Sequence, residues 1–248
     1  MPSEWSHGKI HNLYKGKGQK SEPSSYRGIT LLPVIGKIFG KILANRLQLW
    51  LEKHKRLTMF QAGFRRGYST IDNLFVLQTL VDKTLNKKKR KLYCAMIDFR
   101  SAFDIVNREM LWVKLADIGI SHSFIHLIQT IYKDVLFSVK IDEEIFYTPQ
   151  HSHKLPLPAG CMSVPISSNR GLRQGCQLSS ILFALYVNDF CDLLTTVQTH
   201  SPNINGIDVQ ALLYADDLIL FSETTIGLQR AINKLTEYSE RYHMEINI

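Results

Sequence analysis

Two apolar runs, Ala211-Leu212-Leu213 and Leu218-Ile219-Leu220-Phe221, flank the polar break Tyr214-Ala215-Asp216-Asp217. Short apolar runs around a tight polar break predict a hairpin of buried strands whose tip carries the acidic pair outside the core. A third run, Leu92 to Ile97, predicts another buried strand, and it too ends on a carboxylate, Asp98. Elsewhere the apolar spacing is helical. Pro33 opens a helix with Ile35, Ile38, Phe39, Ile42, Leu43, Leu47, Trp50 and Leu51 on one face and Lys37, Lys41 and Gln48 on the other. Ser69 predicts an N-cap, with Asp72 placed to return the hydrogen bond, for a helix burying Ile71, Leu74, Phe75, Gln78, Val81 and Leu85.

After Asp98 the pattern predicts a helix with Phe103, Val106, Met110, Leu111, Leu115 and Ile118 inward, closed by Gly119. Ile120 to Tyr132 repeats the helical period, and Phe137 to Tyr147 alternates like a hairpin. Residues 148–170, rich in Pro, Ser and His, read as an exposed loop or an insertion. Gly171 to Gly175 then turns into a helix with Leu178, Ile181, Leu182, Leu185 and Leu194 buried. A last helix sets Leu228, Ile232, Leu235 and Tyr242 inward, and a strand begins at Met244. The order predicts an α+β fold, a small antiparallel sheet with helices packed on one face.

Composition adds a partner class. The 248 residues carry 30 Lys and Arg against 22 Asp and Glu, a formal charge of +8, which suits a polyanion. The run Lys87-Lys88-Lys89-Arg90-Lys91 reads as a solvated turn or a nucleic-acid contact. Lys15, Lys17 and Lys20 among Gly16 and Gly18 form a basic loop without Walker-type spacing. The cysteines Cys94, Cys161, Cys176 and Cys191 show no paired spacing and favour a reducing compartment. Lys37 and Lys41 interrupt the longest apolar stretch, and the N-terminus lacks a signal-peptide core, so the expectation is a soluble intracellular protein with no membrane segment.

Aspartates at the ends of buried strands supply the hard oxygen ligands that a magnesium-dependent phosphoryl-transfer site needs, with two ions about 3.5–4 Å apart clamping the attacking and leaving oxygens. An Asp-Asp pair alone is weak, because Asp favours turns. Its context is specific. The order is Tyr26-Arg27-Gly28-Ile29-Thr30-Leu31-Leu32, then Gln61-Ala62-Gly63-Phe64-Arg65-Arg66-Gly67-Tyr68-Ser69-Thr70. Next come Ile97-Asp98-Phe99-Arg100-Ser101-Ala102-Phe103-Asp104, Gly171-Leu172-Arg173-Gln174-Gly175-Cys176, and Tyr214 to Asp217. This series closely resembles the reverse transcriptase domain of non-LTR (LINE-type, jockey-like) retrotransposons, over nearly the whole chain.

The resemblance implies a right-hand polymerase with fingers at 1–90 and palm at 91–248, the thumb missing. It implies extension of a DNA primer on an RNA template with dNTPs. Asp98, Asp216 and Asp217, with the carbonyl of Phe99, would hold two Mg2+ ions, or Mn2+ in their place. Arg27 would grip the triphosphate, Gln174 and Gly175 would line the nucleotide and template, and Arg65 would touch the template or stand as a solvated loop arginine. Phe103 would sit beneath the incoming sugar and exclude a 2′-hydroxyl, although a Phe there also suits a helix core. The family favours the nucleus over the cytoplasm. This chain departs from the family pattern at Gln177 and Ser180, where relatives carry prolines.

Two further readings stand beside this one. A catalytically inactive or domesticated remnant would bind nucleic acid or a protein partner without chemistry, and a group II intron or telomerase-type relative would share the palm. His151, His153 and Cys161 suggest zinc but lack the fourth ligand of a closed structural site. The sequence leaves the oligomeric state open.

Overall fold

The computed structural model describes residues 2–86, 90–141 and 161–247. Its first strands are β1 (His7–Tyr14) and β2 (Tyr26–Leu31), followed by helices α1 (Val34–Lys53) and α2 (Thr70–Leu85). Strand β3 (Tyr93–Arg100) precedes α3 (Arg108–Asp117) and α4 (His122–Tyr132). Then come β4 (Leu136–Ile141), β5 (Cys161–Met162), β6 (Ile166–Ser167), α5 (Gln177–Tyr186) and α6 (Phe190–Leu194). The chain closes with β7 (Asn203–Ile204), β8 (Ile207–Asp208), β9 (Ala211–Tyr214), β10 (Asp217–Ser222), α7 (Thr225–Arg241) and β11 (Glu245–Asn247).

These elements form two compact units drawn from interleaved stretches rather than from either side of one cut near residue 90. The first comprises Met1–Ile42, Ser121–Asn169 and Arg173–Gln177. Its sheet runs β2-β1-β4-β5, with β6 also on β4. The basic glycine-containing segment after Tyr14 is the connection of the β1–β2 hairpin, where Lys15 Nζ donates to the Ser24 carbonyl at 2.9 Å. β1 pairs parallel with β4, His7 opposite Leu136, a long-range match that no local pattern announces. The expected Phe137–Tyr147 hairpin is described only to residue 141, and residues 142–160, with His151 and His153, lie outside the described residues. Of the anticipated loop 148–170, the described part carries β5 and β6, antiparallel to β4.

The second unit comprises Leu43–Ile120, Arg170–Leu172 and Leu178–Ile248. Its sheet order is β11-β3-β10-β9, all antiparallel. The core gathers around α5, whose Leu178, Leu182, Phe183, Ala184 and Tyr186 have no exposed surface. A helix apolar all round is a central helix. On the sheet, Leu80 of α2 packs with Val209, Leu212 and Phe221, joined by Val76, Leu77 and Ile219. β3 alternates, with Ala95, Ile97 and Phe99 turned inward and Cys94, Met96 and Asp98 exposed on the opposite face of the sheet.

Several helices differ from their sequence patterns. The α2 cap forms as expected, with Asp72 accepting the Ser69 backbone N–H at 2.6 Å, but the buried face is Leu80 and Thr84. Ile71, Leu74, Phe75 and Leu85 are exposed, because the sheet's apolar surface meets α2 about a third of a turn from its densest stripe. In α1, Leu43, Leu47 and Leu51 are buried as read, whereas Ile35, Ile38 and Ile42 are exposed. The helix after Asp98 begins only at Arg108, capped by Asn107, so Phe103 sits in a turn that starts at Ser101 with φ 49°. The predicted 178–194 helix is two helices. Asn188 accepts the Thr58 N–H and donates to the Arg56 carbonyl, and Asp189 meets Lys114 and Tyr238, so these side chains turn the chain between α5 and α6.

Candidate active site

Within the second unit, β3 carries Asp98 beside β10. The last registered pair is Leu218 opposite Ile97, so one further step sets Asp217 alongside Asp98. β9 and β10 close at Tyr214 opposite Asp217 around the two-residue turn Ala215-Asp216. Ala215 has φ 59°, a positive value at the first turn position, as in a type II′ hairpin turn. The apolar strands thereby hold two carboxylates at the tip and a third on the neighbouring strand.

Electrostatics report the same proximity. The Asp216 carboxyl is pushed above its ordinary value, first by burial, then by the charges of Asp217 and Asp98, while a backbone hydrogen bond opposes the shift. Asp98 also accepts from Asn247 Nδ2 of β11 at 3.0 Å. Phe99 turns its ring into the core at 5% exposure, leaving its carbonyl as the group it could offer a ligand.

This donor set is of the kind hard divalent cations take: carboxylate oxygens, one carbonyl, no sulfur or imidazole. Among the described residues, no three His, Cys, Asp or Glu side chains are gathered closely enough to form a metal-binding group as they stand. Like charges in a partly buried turn repel, which favours splayed side chains until a cation bridges them. The residues fit the group in chemistry and in strand position.

Phe103 is half-buried, stacked on Phe183 at 4.7 Å between centroids and edge-on to Phe64 at 6.1 Å. The Leu172 N–H donates to the Phe103 carbonyl at 2.7 Å, tying this turn to the Gly171-Leu172 block. In the first unit, Arg27 projects exposed from β2. Gly175 lies against the same strand with φ 79°, where a Cβ would stand 2.9 Å from the Thr30 carbonyl oxygen. Gln174 beside it is half-buried.

Arg65 is a correction. Its Nε and Nη2 grip both oxygens of Glu52 at 2.9 and 2.8 Å, and Nη1 donates to the carbonyls of Thr58 and Gln61. The guanidinium stacks on Tyr68 at 4.1 Å, and the side chain is 6% exposed. A fork whose donors are spent inside the protein braces its loop instead of reading a template. Of the basic run, Lys87, Lys88 and Lys89 lie outside the described residues, while Arg90 pairs with Glu223 at 3.1 Å. Cys176 and Cys191 are buried, as small hydrophobes would be, and Cys94 is exposed.

Sequence reasoning missed two features. Gln61, quoted only as part of a motif, is fully buried and hydrogen-bonded to the Ala215 turn. Lys114 is buried among Tyr186, Tyr238 and Tyr242, with Nζ donating to Asp189 and to Tyr238. The signal for the first was a Gln inside a glycine-bearing block. For Lys114, nothing in the helical pattern distinguishes it from a surface lysine.

Comparison with known proteins follows this geometry. The reverse transcriptase (RNA-dependent DNA polymerase) family matches residues 15–248. The chain is 27% identical, over its whole length, to the probable RNA-directed DNA polymerase from transposon BS of Drosophila melanogaster, covering 25% of that protein. It is 26% identical to the RNA-directed DNA polymerase from mobile element jockey of the same species, again over 100% of this chain and 25% of the relative. A Pol polyprotein from the R2 retrotransposable element of Popillia japonica is 24% identical over 100% of this chain and 32% of its own length. The chain thus spans about a quarter to a third of these curated relatives. Among solved structures, Candida tropicalis telomerase in complex with a telomeric RNA fragment superposes with TM-score 0.66 at 16% identity, covering 100% of this chain and 40% of that one. The apo enzyme truncated from its C-terminal domain gives 0.64 at 15% identity, over 98% of this chain and 49% of that one. At such identities the likeness is one of fold.

Proposed function

This chain belongs to the reverse transcriptase (RNA-dependent DNA polymerase) family, has the fold of a right-hand polymerase, and, we propose, extends a DNA primer with dNTPs on an RNA template as part of a non-LTR retrotransposon protein. The observation that carries this reading is the placement of Asp217 one register step beside Asp98, with Asp216 in the intervening turn and electrostatically coupled to both.

Asp98 and Asp216 would hold two Mg2+ ions, with Asp217 in support and the Phe99 carbonyl as a further ligand. Bound there, the ions would lower the pKa of the primer hydroxyl and stabilise charge on the α-phosphate and departing pyrophosphate. The chain's own groups orient the reactants. The open face of β3, lined by Cys94 and Met96 and leading to Asp98, supports an approach for a primer terminus without steric obstruction from its own strand. Phe103, backed by Phe183 and Phe64, offers a rigid ring for judging the sugar, since aromatic neighbours on two sides limit its rotation. Exposed Arg27 offers a planar fork for triphosphate oxygens, and the close backbone at Gly175, with Gln174, suits the nucleotide edge. The formal charge of +8 favours association with the template–primer duplex at low salt. No helix among the described residues is long and apolar enough to cross a membrane. A nuclear site of action, where chromosomal DNA is at hand, would suit this activity.

The test is dNTP incorporation on a primed RNA with Mg2+, comparing the chain with Asp216→Asn. Mg2+-dependent extension that disappears in the variant supports the enzyme. Binding of template–primer by both proteins with extension by neither supports the non-catalytic remnant.

A further inference from the structure

Among the side-chain-bearing residues of the second unit that take a positive φ, Ala215, at 59°, lies in the turn immediately before Asp216. L-residues other than Asn and Asp avoid this region, and the first position of a type II′ turn is ordinarily glycine. Something outside the turn must compensate.

Gln61 is placed to do so. Its Oε1 accepts from the Ala215 N–H at 3.2 Å, and its Nε2 donates to the Ala215 carbonyl at 3.3 Å. One primary amide thus brackets both polar groups of a single backbone residue, which only a side chain with a donor and an acceptor on one carbon can do. The same Oε1 accepts from the Gly63 N–H at 2.8 Å, which orients the amide. Gln61 is fully buried, so water does not compete for these bonds. Gly63 makes the approach possible, since a Cβ there would collide with the Ala215 nitrogen and stand 2.9 Å from Gln61 Oε1. The adjoining backbone is stitched to β9 as well: Leu213 donates to the Phe60 carbonyl at 2.8 Å, and Ala62 donates to the Leu213 carbonyl at 3.0 Å. Asn73 Nδ2 of α2 adds a bond to that Leu213 carbonyl at 3.0 Å.

We propose that Gln61, admitted by Gly63, is a positioning residue that holds Ala215 in its left-handed conformation and so sets the direction in which Asp216 leaves the turn. It acts through the backbone and touches no substrate. The proposal rests on the reading of Asp216 as a metal ligand only for its functional consequence; the clasp itself is a backbone property.

Both levels are measurable without turnover. Amide hydrogen exchange reads the clasp at the Ala215 N–H, and Mn2+ titration of the intact chain reads the acidic set. Gln61→Met keeps the volume and deletes the amide. It should speed exchange at Ala215 about tenfold or more relative to Leu220 in the middle of β10, as expected for losing a hydrogen bond. It should weaken Mn2+ binding by about the same factor while the chain stays folded. Adding Ala215→Gly, which accepts φ 59° without steric cost, should recover part of the Mn2+ affinity, a rescue that a merely structural role for Gln61 would not show. If Gln61→Met does not fold, Gly63→Ala, which wedges the clasp open from the other side, takes its place with the same expectations. Unchanged exchange at Ala215, or faster exchange with Mn2+ affinity intact, overturns the proposal. If Asp216→Asn alone, with Gln61 and Ala215 unchanged, fails to weaken Mn2+ binding, the metal reading fails instead, and exchange at Ala215 alone decides the clasp.

Discussion

Lys114 shows how a single buried charge shapes the second unit. Burial pulls its ammonium down to about 8 from the usual 10.5, with Asp189 opposing the shift. Below about pH 8 the fold therefore carries a protonated Lys114 at a desolvation cost. Between about 8 and 10.5 the folded chain releases a proton that the unfolded chain keeps, so this group's contribution to stability rises with pH. Tyr186, pushed up to about 12 mainly by burial, works the other way above pH 10, because the folded chain retains the phenolic proton. Denaturant midpoints measured from pH 7 to 10 should show the unaltered chain gaining on Lys114→Met between pH 8 and 10. At pH 7 the variant should be weaker by about 1–3 kcal/mol, less than for a fully enclosed pair because Asp189 is 40% exposed. Phe103 yields a second prediction at this scale. Phe103→Ala removes the ring braced by Phe64 and Phe183 and should raise ribonucleotide use relative to deoxynucleotide use about tenfold or more, measured as the ratio of kcat/KM values. An unaltered ratio would return Phe103 to a packing role.

At the scale of elements, the acidic hairpin was readable because its causes are local. An apolar run, a polar break and a second run dictate β9, the turn and β10 with little help from elsewhere. The N-cap at Ser69 and the helix end at Gly119 were readable for the same reason. The inward face of α2 was not, since Ile71, Leu74 and Phe75 form the denser stripe while Leu80, Val76 and Leu77 meet the sheet. The break between α5 and α6 also escaped, because Asn188 and Asp189 bond to residues far away in sequence. Arg65 misled by its motif: a bidentate partner at Glu52 cannot be seen in the spacing. The hairpin carries its own stability cost, as burial and two neighbouring carboxylates disfavour the charged form of Asp216. At neutral pH without divalent cations, Asp216→Asn should raise the melting temperature, by about 2–4 °C for each kcal/mol of repulsion relieved. Mg2+ should then stabilise the unaltered chain more than the variant, as differential scanning fluorimetry with and without the ion would show.

For the whole molecule, pairing between distant segments shapes each unit. The parallel match of β1 with β4 and the docking of β11 beside β3, which brings Asn247 to Asp98, join segments separated by more than a hundred residues. The family and its fold were legible through the order of motifs, whereas the two interleaved units were not, because contacts and not chain order define them. The central claim is that the end of β3 and the β9–β10 turn share bound cations. The most direct measurement replaces Mg2+ with Fe2+ and maps where ascorbate and peroxide cut the chain, since hydroxyl radicals act within a few ångströms of the ion. The account predicts cuts around Asp98 and around Asp216 in the same sample, both suppressed by excess Mg2+ and both lost in Asp216→Asn. Cutting at one of these places without the other, or at both in the variant, would contradict it.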